Sequence, residues 1–418
     1  MKIAFVDQPI GRLIIPPTSS IGIWIYEVAR RLAQSCEVVV YGRRGRRQPP
    51  SEDVKGVRYR RITLFREARY VGRLFRLLDR LSGLVRRPYA SGLYYLDYAW
   101  QVARDVRAEG CDVVHLSNFS QFAPVIRALN PRVKIVLHMH CEWLSLLDRG
   151  MIERRLRAID LIVGCSEYIA EKIRRRFPQF ADRCQVIPNG VDVASFTGTN
   201  GHRAAREDRV RRLLFVGRVS PEKGLHVLLE AFRLIAERLP HVRLEIVGSH
   251  KQLPLDYLLS LGDDEAIPRL ASFYDGRSDE SYFARLQDQL QTLPLAEHVT
   301  FTGALPYVQL REHYHQADVL INPSFSESFG RSLIEAMACE LPVVATRIGG
   351  MTELLAGSNA GLLVEPGDAP ALAEAALRLL TDNDLRQAMG QAGQRWVLER
   401  FSWEQVAAGL RDQCRHLC

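Results

Sequence analysis

Pro323-Ser-Phe-Ser-Glu327-Ser-Phe-Gly330-Arg-Ser-Leu-Ile-Glu335-Ala-Met-Ala338 is the stretch on which the reading of this chain turns. Just ahead of it, residues 319–322 (Val-Leu-Ile-Asn) form the short apolar run of a strand buried on both faces. Beyond Gly330 the apolar residues take helical spacing through position 339. The stretch therefore reads as the end of a strand, a loop carrying Glu327, and a helix with Glu335 about a turn and a half inside it. First-turn amides have no acceptor within their own helix, so the start of this helix is an anion-binding end. Two carboxylates at this spacing can hold hydroxyl pairs, since each ionised carboxylate accepts several hydrogen bonds. The spacing alone favours the plainer reading, a capping Glu327 and a solvated Glu335. The surrounding Ser-Glu-Ser-Phe-Gly and Glu-Ala-Met-Ala make it less generic.

Strand and helix alternate outward from this point in both directions. Residues 212–216, 243–247, 299–302 and 343–346 read as further strands, and 225–237, 309–316, 370–380 and 385–399 as helices. Around 197–208 the pattern lapses into Thr-Gly-Thr-Asn-Gly-His-Arg-Ala-Ala-Arg-Glu-Asp, which has the composition of a linker. On its other side the alternation resumes, with strands at 3–6, 38–41, 113–115, 134–138 and 161–164 and helices at 23–34, 93–108 and 169–177. The fold class is α/β, with parallel sheets covered on both faces, in two doubly wound, Rossmann-like domains. The expected bounds are 1–195, a linker at 196–208, a second domain at 209–400, and a C-terminal helix at 401–418. Each domain offers a crevice at the carboxyl ends of its strands, and two that face one another would enclose a ligand.

With 418 residues, 47% hydrophobic and 25% charged, the chain can fill two cores, and it is neither low-complexity nor disordered. Its net charge of +8 conceals an asymmetry. Residues 1–200 hold 33 basic and 19 acidic side chains, a net +14, and residues 201–418 are left with a net −6. A basic first half points to an anionic partner: a phosphorylated substrate, a membrane surface or a nucleic acid. The eight cysteines form no Cys-x-x-Cys pair and read as reduced, mostly buried thiols. The first apolar run is too short for a signal peptide, and no apolar run reaches a membrane span, so the expected location is the cytoplasm.

Arg218 and Lys223 follow the 212–216 strand in a loop bounded by Gly217 and Gly224. Two cations there suit a diphosphate, each charge-assisted hydrogen bond adding about 1.5–3 kcal/mol. The plainer reading, a surface ion pair with Glu222, is worth at most about 1 kcal/mol. A metal site is not expected. The one Asp-x-Asp, Asp382-Asn-Asp384, lies between two helices and reads as a turn and helix cap. No Walker loop, His-Glu-x-x-His or Gly-x-Gly-x-x-Gly is present.

Taken together, these motifs resemble the family-4 glycosyltransferases, retaining sugar transferases of the GT-B fold. Their signature is a Glu, seven residues, then a Glu, in text like that of residues 327–338. The resemblance also covers Phe215-Val-Gly-Arg218 through Lys223-Gly224, Val186-Ile-Pro-Asn-Gly-Val-Asp192, Ala317 to Ser324, Gly349-Gly-Met-Thr-Glu353 and Leu362-Leu-Val-Glu-Pro-Gly367. It implies that Arg218 and Lys223 hold the donor diphosphate, that Glu335 holds the ribose hydroxyls, and that Glu327 holds the transferred sugar, with the Phe329 and Gly330 amides nearby. In the first domain it implies donor contacts from Gly22 and from a histidine after the 134–138 strand, here His140, with His138 in the core. The family usually shows a Gly-Gly pair where this chain has Ile21-Gly22, and an Asp where it has Cys141. Ser166 faces the same crevice by position, or caps the helix after it. The implied reaction transfers sugar from a UDP or GDP sugar to an acceptor hydroxyl with no metal and no cofactor. A sugar-nucleotide 2-epimerase, a sugar phosphorylase and a catalytically silent lipid-binding relative are the alternatives on the same fold.

Arg66, Arg69, Arg73, Arg76 and Arg80 recur at helical spacing, opposite Val71, Leu74, Leu78, Leu81 and Val85. This helix either packs on the sheet with a solvated Arg face or lies on an anionic membrane, at the inner face of the cell. The lack of interleaved aromatic platforms argues against nucleic acid. Residues 251–279 exceed what the family usually carries and read as an ordered insertion.

Overall fold

A computed structural model of the chain describes residues 1–64, 91–196, 210–251, 254–258, 266–274, 281–291 and 295–418. Arg66, Arg69, Arg73, Arg76 and Arg80 lie outside the described residues, as does nearly all of 196–208. The described chain forms two compact units, residues 1–188 with 403–418, and residues 189–402.

The first unit is built on β1 (Lys2–Val6), β2 (Glu37–Arg43), β3 (Ser51–Val54), β4 (Val57–Ile62), β5 (Val113–Ser117), β6 (Lys134–Met139), β7 (Leu161–Gly164) and β8 (Cys184–Val186). Their order is β3-β4-β2-β1-β5-β6-β7-β8, parallel except for the β3–β4 hairpin. Ile3 sits opposite Val38 on one side and Val113 on the other, so the sheet order reverses at β1. Ile3, Phe5, Val114, Leu116, Val136 and Val163 are fully buried, which is why these strands read as continuous apolar runs. The helix Ser20–Leu32 starts three residues before the expected position, because Ser19 caps it by accepting from the Gly22 amide. The last helix, Trp403–Leu417, belongs to this unit, and Arg31 donates to Glu404 at 2.7 Å.

The second unit holds β9 (Arg211–Val216), β10 (Val242–Val247), β11 (Val299–Gly303), β12 (Val319–Asn322), β13 (Val343–Thr346) and β14 (Gly361–Val364). Their order is β11-β10-β9-β12-β13-β14, all parallel, the strand order of a doubly wound nucleotide-binding sheet. The helices Leu225–Arg238 and Ala369–Thr381 press Leu228, Phe232, Leu372 and Ala376 into its core. The chain passes into this unit at Pro188–Asn189, ahead of the polar stretch expected to join the domains. The short helix Val193–Phe196 is already part of it, with the Phe196 carbonyl accepting from Cys339 Sγ. The chain also leaves beside its point of arrival, since the Val191 amide donates to the Phe401 carbonyl at 2.8 Å.

Candidate active site

Ligands of open α/β sheets lie beyond the carboxyl ends of the strands where the strand order reverses. In the second unit that point is between β9 and β12. β9 leads into Gly217-Arg218-Val219-Ser220, a single turn at Pro221–Lys223, and the helix Leu225–Arg238. β12 leads into residues 323–329 and the helix Arg331–Ala338. The two loops meet backbone to backbone. Gly224 has φ +70°, and a Cβ there would stand 2.1 Å from the Pro323 carbonyl oxygen, so no side chain fits. The Phe325 amide donates to the Glu222 carbonyl at 2.7 Å.

This contact brings Lys223 Nζ to 2.6 Å from Glu327 Oε2. Both side chains are mostly covered, at 19% and 22% exposure, so they form a partly desolvated ion pair. Arg218, from the same loop, stays exposed. Glu222 is 1% exposed and accepts from Ser220 Oγ at 2.5 Å. The ion-pair partner of Lys223 is therefore Glu327 and not the adjacent glutamate. Gly330, at φ +101°, opens the helix that follows, and the Gly350 amide donates to the Glu327 carbonyl at 3.1 Å. The Phe329 ring is buried edge-on to Phe401, so only its backbone can face a ligand.

Glu335 is 3% exposed, unlike the solvated helical residue its spacing alone allowed. Its Oε2 accepts from Tyr314 Oη at 2.7 Å and its Oε1 from Arg331 Nη2 at 2.6 Å. Burial holds the Tyr314 hydroxyl far above its ordinary pKa, and the Glu335 carboxylate adds to this. Burial opposes the charge on Arg331, but Glu335 and the neighbouring Tyr307 and Tyr314 together outweigh it and raise the guanidinium pKa. Neither Tyr314 nor Arg331 stood out in the sequence. Their only signal was a polar residue on each of two helices around one carboxylate.

Part of the 251–279 insertion packs onto the Glu327 loop. Leu258, Ile267 and Leu270 form a cluster with Phe325, and His226 stacks on the Phe325 ring at 5.6 Å.

In the first unit, β6 delivers His138 and His140 to a ring cluster. Trp24 stacks on His115 at 5.1 Å and meets His138 edge-on at 4.6 Å, while His138 and His140 lie 4.1 Å apart. His115 and His138 are fully buried. Burial pushes the His115 and His140 pKa values down to about 3 and that of His138 well below its ordinary value, so all three rings are neutral at pH 7. The His140 amide is pinned by Asn118 Oδ1 at 2.6 Å. Gly22 lies inside the first helical turn, its amide engaged by Ser19 Oγ at 3.1 Å. Ser166 is fully buried and caps the helix Glu167–Arg176, its hydroxyl accepting from the Ile169 amide. Asp7, just past β1, was not singled out in the sequence. Burial raises its carboxyl to about 6 against the pull of the Gln8 amide.

Asp382 caps the helix Asn383–Arg400 through the Leu385 amide. Among the described residues no group of three or more His, Cys, Asp or Glu side chains is gathered to hold a metal ion, and no helix is long and apolar enough to cross a membrane.

Two family models match the chain. The one described as Glycosyltransferase Family 4 covers residues 21–195, and the one described as Glycosyl transferases group 1 covers residues 202–396. The lipopolysaccharide 1,2-N-acetylglucosaminetransferase of Salmonella typhimurium strain LT2 is 25% identical over 434 residues, 99% of this chain and 98% of its own length. The GDP-mannose-dependent alpha-(1-6)-phosphatidylinositol monomannoside mannosyltransferase of Mycolicibacterium smegmatis is 28% identical over 300 residues, 68% of this chain and 70% of its own. Anabaena HepE, solved in complex with UDP-glucose, superposes with a TM-score of 0.70 at 18% identity, over all of both chains. The two models between them account for both parallel-sheet units, and the chain belongs to the family-4 glycosyltransferases of the GT-B fold.

Proposed function

We propose that this glycosyltransferase is a retaining, metal-independent enzyme that moves a sugar from a nucleoside-diphosphate donor to an acceptor hydroxyl. The observation that carries the proposal is the 2.6 Å pairing of Lys223 with Glu327 at the strand-order reversal of the second unit. The donor is of the UDP or GDP type. Lys223 and Arg218 meet the diphosphate, Glu327 meets hydroxyls of the transferred sugar, and Glu335 meets those of the ribose. The backbone of Phe329 and Gly330, at the start of the helix Arg331–Ala338, adds partial positive charge beside the diphosphate. For the first unit, the proposal is that neutral His140 contributes to turnover and that Gly22 allows close approach to its backbone.

In the proposed step the bond from the anomeric carbon to the diphosphate oxygen breaks, and a bond to the acceptor oxygen forms on the same face of the sugar. The acceptor proton passes to the departing phosphate. The protein supplies position and charge: Lys223 and Arg218 stabilise the leaving group, and Glu327 orients the sugar. The mannosyltransferase relative acts, by its name, on a phosphatidylinositol mannoside, and a basic first half suits an anionic acceptor of that sort.

The test is a thermal-shift screen of nucleoside diphosphates and their sugars, followed by transfer assays with and without a chelator. Proton NMR of the product gives the anomeric configuration. Stabilisation by one diphosphate, transfer that survives chelation, and retention at the anomeric carbon are expected. Inversion, or loss of transfer on chelation, would contradict the corresponding part. Donor consumption without any acceptor would point instead to an epimerase.

A further inference from the structure

We propose that Tyr314 and Arg331 are positioning residues for the donor, fixing the Glu335 carboxylate in the orientation in which it accepts the ribose hydroxyls. This rests on the nucleotide-donor reading above. A carboxylate as buried as Glu335 needs hydrogen-bonded partners. It has two, and they come from different elements. Tyr314 reaches Oε2 from the helix Tyr307–Gln316, and Arg331 reaches Oε1 from one turn back on Glu335's own helix. Each oxygen thus has one fixed donor, and rotation of the carboxylate plane is pinned.

The two partners are themselves held. Tyr314 is fully buried, its ring centre 5.9 Å from that of Phe196, and the Arg331 guanidinium lies 5.3 Å over the Tyr307 ring. Two donors use two of the roughly four acceptor positions of a carboxylate, which leaves positions for a vicinal diol. The chemistry is divided between them. Arg331 brings a charge-assisted hydrogen bond, and Tyr314 adds direction without adding charge.

The test is titration calorimetry on the full chain. The probes are UDP and GDP, the 2′,3′-dideoxy form of whichever binds the wild type, and inorganic pyrophosphate. The variants are Tyr314→Phe, Arg331→Leu and Arg331→Lys. The wild type should prefer the ribose form over the dideoxy form by about tenfold or more. Tyr314→Phe and Arg331→Leu should bring that ratio close to one, with dideoxy and pyrophosphate binding unchanged, and Arg331→Lys should restore part of it. A ratio unchanged in the variants would make the network a structural ion pair and overturn the proposal. A wild type with no preference for ribose would overturn it too, yet leave the nucleotide donor standing. Failure of the wild type to bind either diphosphate would remove the donor reading itself and the proposal with it. Should Tyr314→Phe fail to fold, the two Arg331 variants carry the test alone.

Discussion

Glu327 and Glu335 sit on one loop and helix, yet their neighbours differ. Glu327 faces the Lys223 ammonium across a backbone contact, and Glu335 is clamped by Arg331 and Tyr314. Loss of one should therefore not resemble loss of the other. Glu327→Ala is expected to lower kcat by about 100-fold or more while nucleoside-diphosphate affinity changes little, because it would meet only the sugar. Glu335→Ala should weaken the diphosphate as well, and equal calorimetric affinities for the two variants would refute the division of roles. The histidines give a separate handle. His115 has an ordinary pKa near 6.5 when unfolded but about 3 in its dry ring cluster, so below about pH 6.5 the unfolded chain takes up a proton that the folded chain does not. Stability then falls as pH drops, by about 2 kcal/mol for this one ring between pH 7.5 and 5. His115→Phe should flatten that slope in thermal or urea unfolding, and an unaltered slope would place the acid sensitivity elsewhere.

The elements that the sequence revealed are those whose periodicity is apolar. β12 and β13 coincide with the expected runs, and β6, β9 and β10 differ from them by a residue at one end. The β3–β4 hairpin was not legible, because its alternation is Val57, Tyr59, Arg61, with a buried guanidinium in the third inward position. That charge is satisfied by Glu52 on the neighbouring strand and by the Leu13 and Pro49 carbonyls, partners that exist only once the strands pair. The Glu327 loop was likewise legible as a loop, but its support was not. Phe325 is held by Leu258, Ile267 and Leu270, from a segment whose purpose the sequence left open. Phe325→Ala should destabilise the second unit by about 3–5 kcal/mol and lower kcat, since the loop loses its anchor. Phe325→Leu should recover most of the stability. Turnover untouched by the alanine change would show that the insertion does not steady this loop.

Across the whole molecule, charge and chemistry separate. The proposed donor is anionic, but the half of the chain that would hold it carries a net −6, so a few placed groups must do the holding. The excess positive charge lies in the first half, a good part of it in the arginine series outside the described residues. If that series meets an anionic membrane, flotation with phosphatidylserine vesicles should be lost when Arg69, Arg73 and Arg76 are changed to Glu. Flotation that survives the changes would return the series to a solvated role. In the second unit, the proposed role of Lys223 is to hold a nucleoside diphosphate at the strand-order reversal. Calorimetric titration of wild type and Lys223→Ala with the diphosphate that stabilises the wild type tests it most directly. Loss of a charge-assisted contact worth about 1.5–3 kcal/mol predicts a dissociation constant raised roughly 10- to 150-fold. A Lys223→Ala protein that binds the diphosphate as tightly as the wild type would remove Lys223 from the diphosphate site.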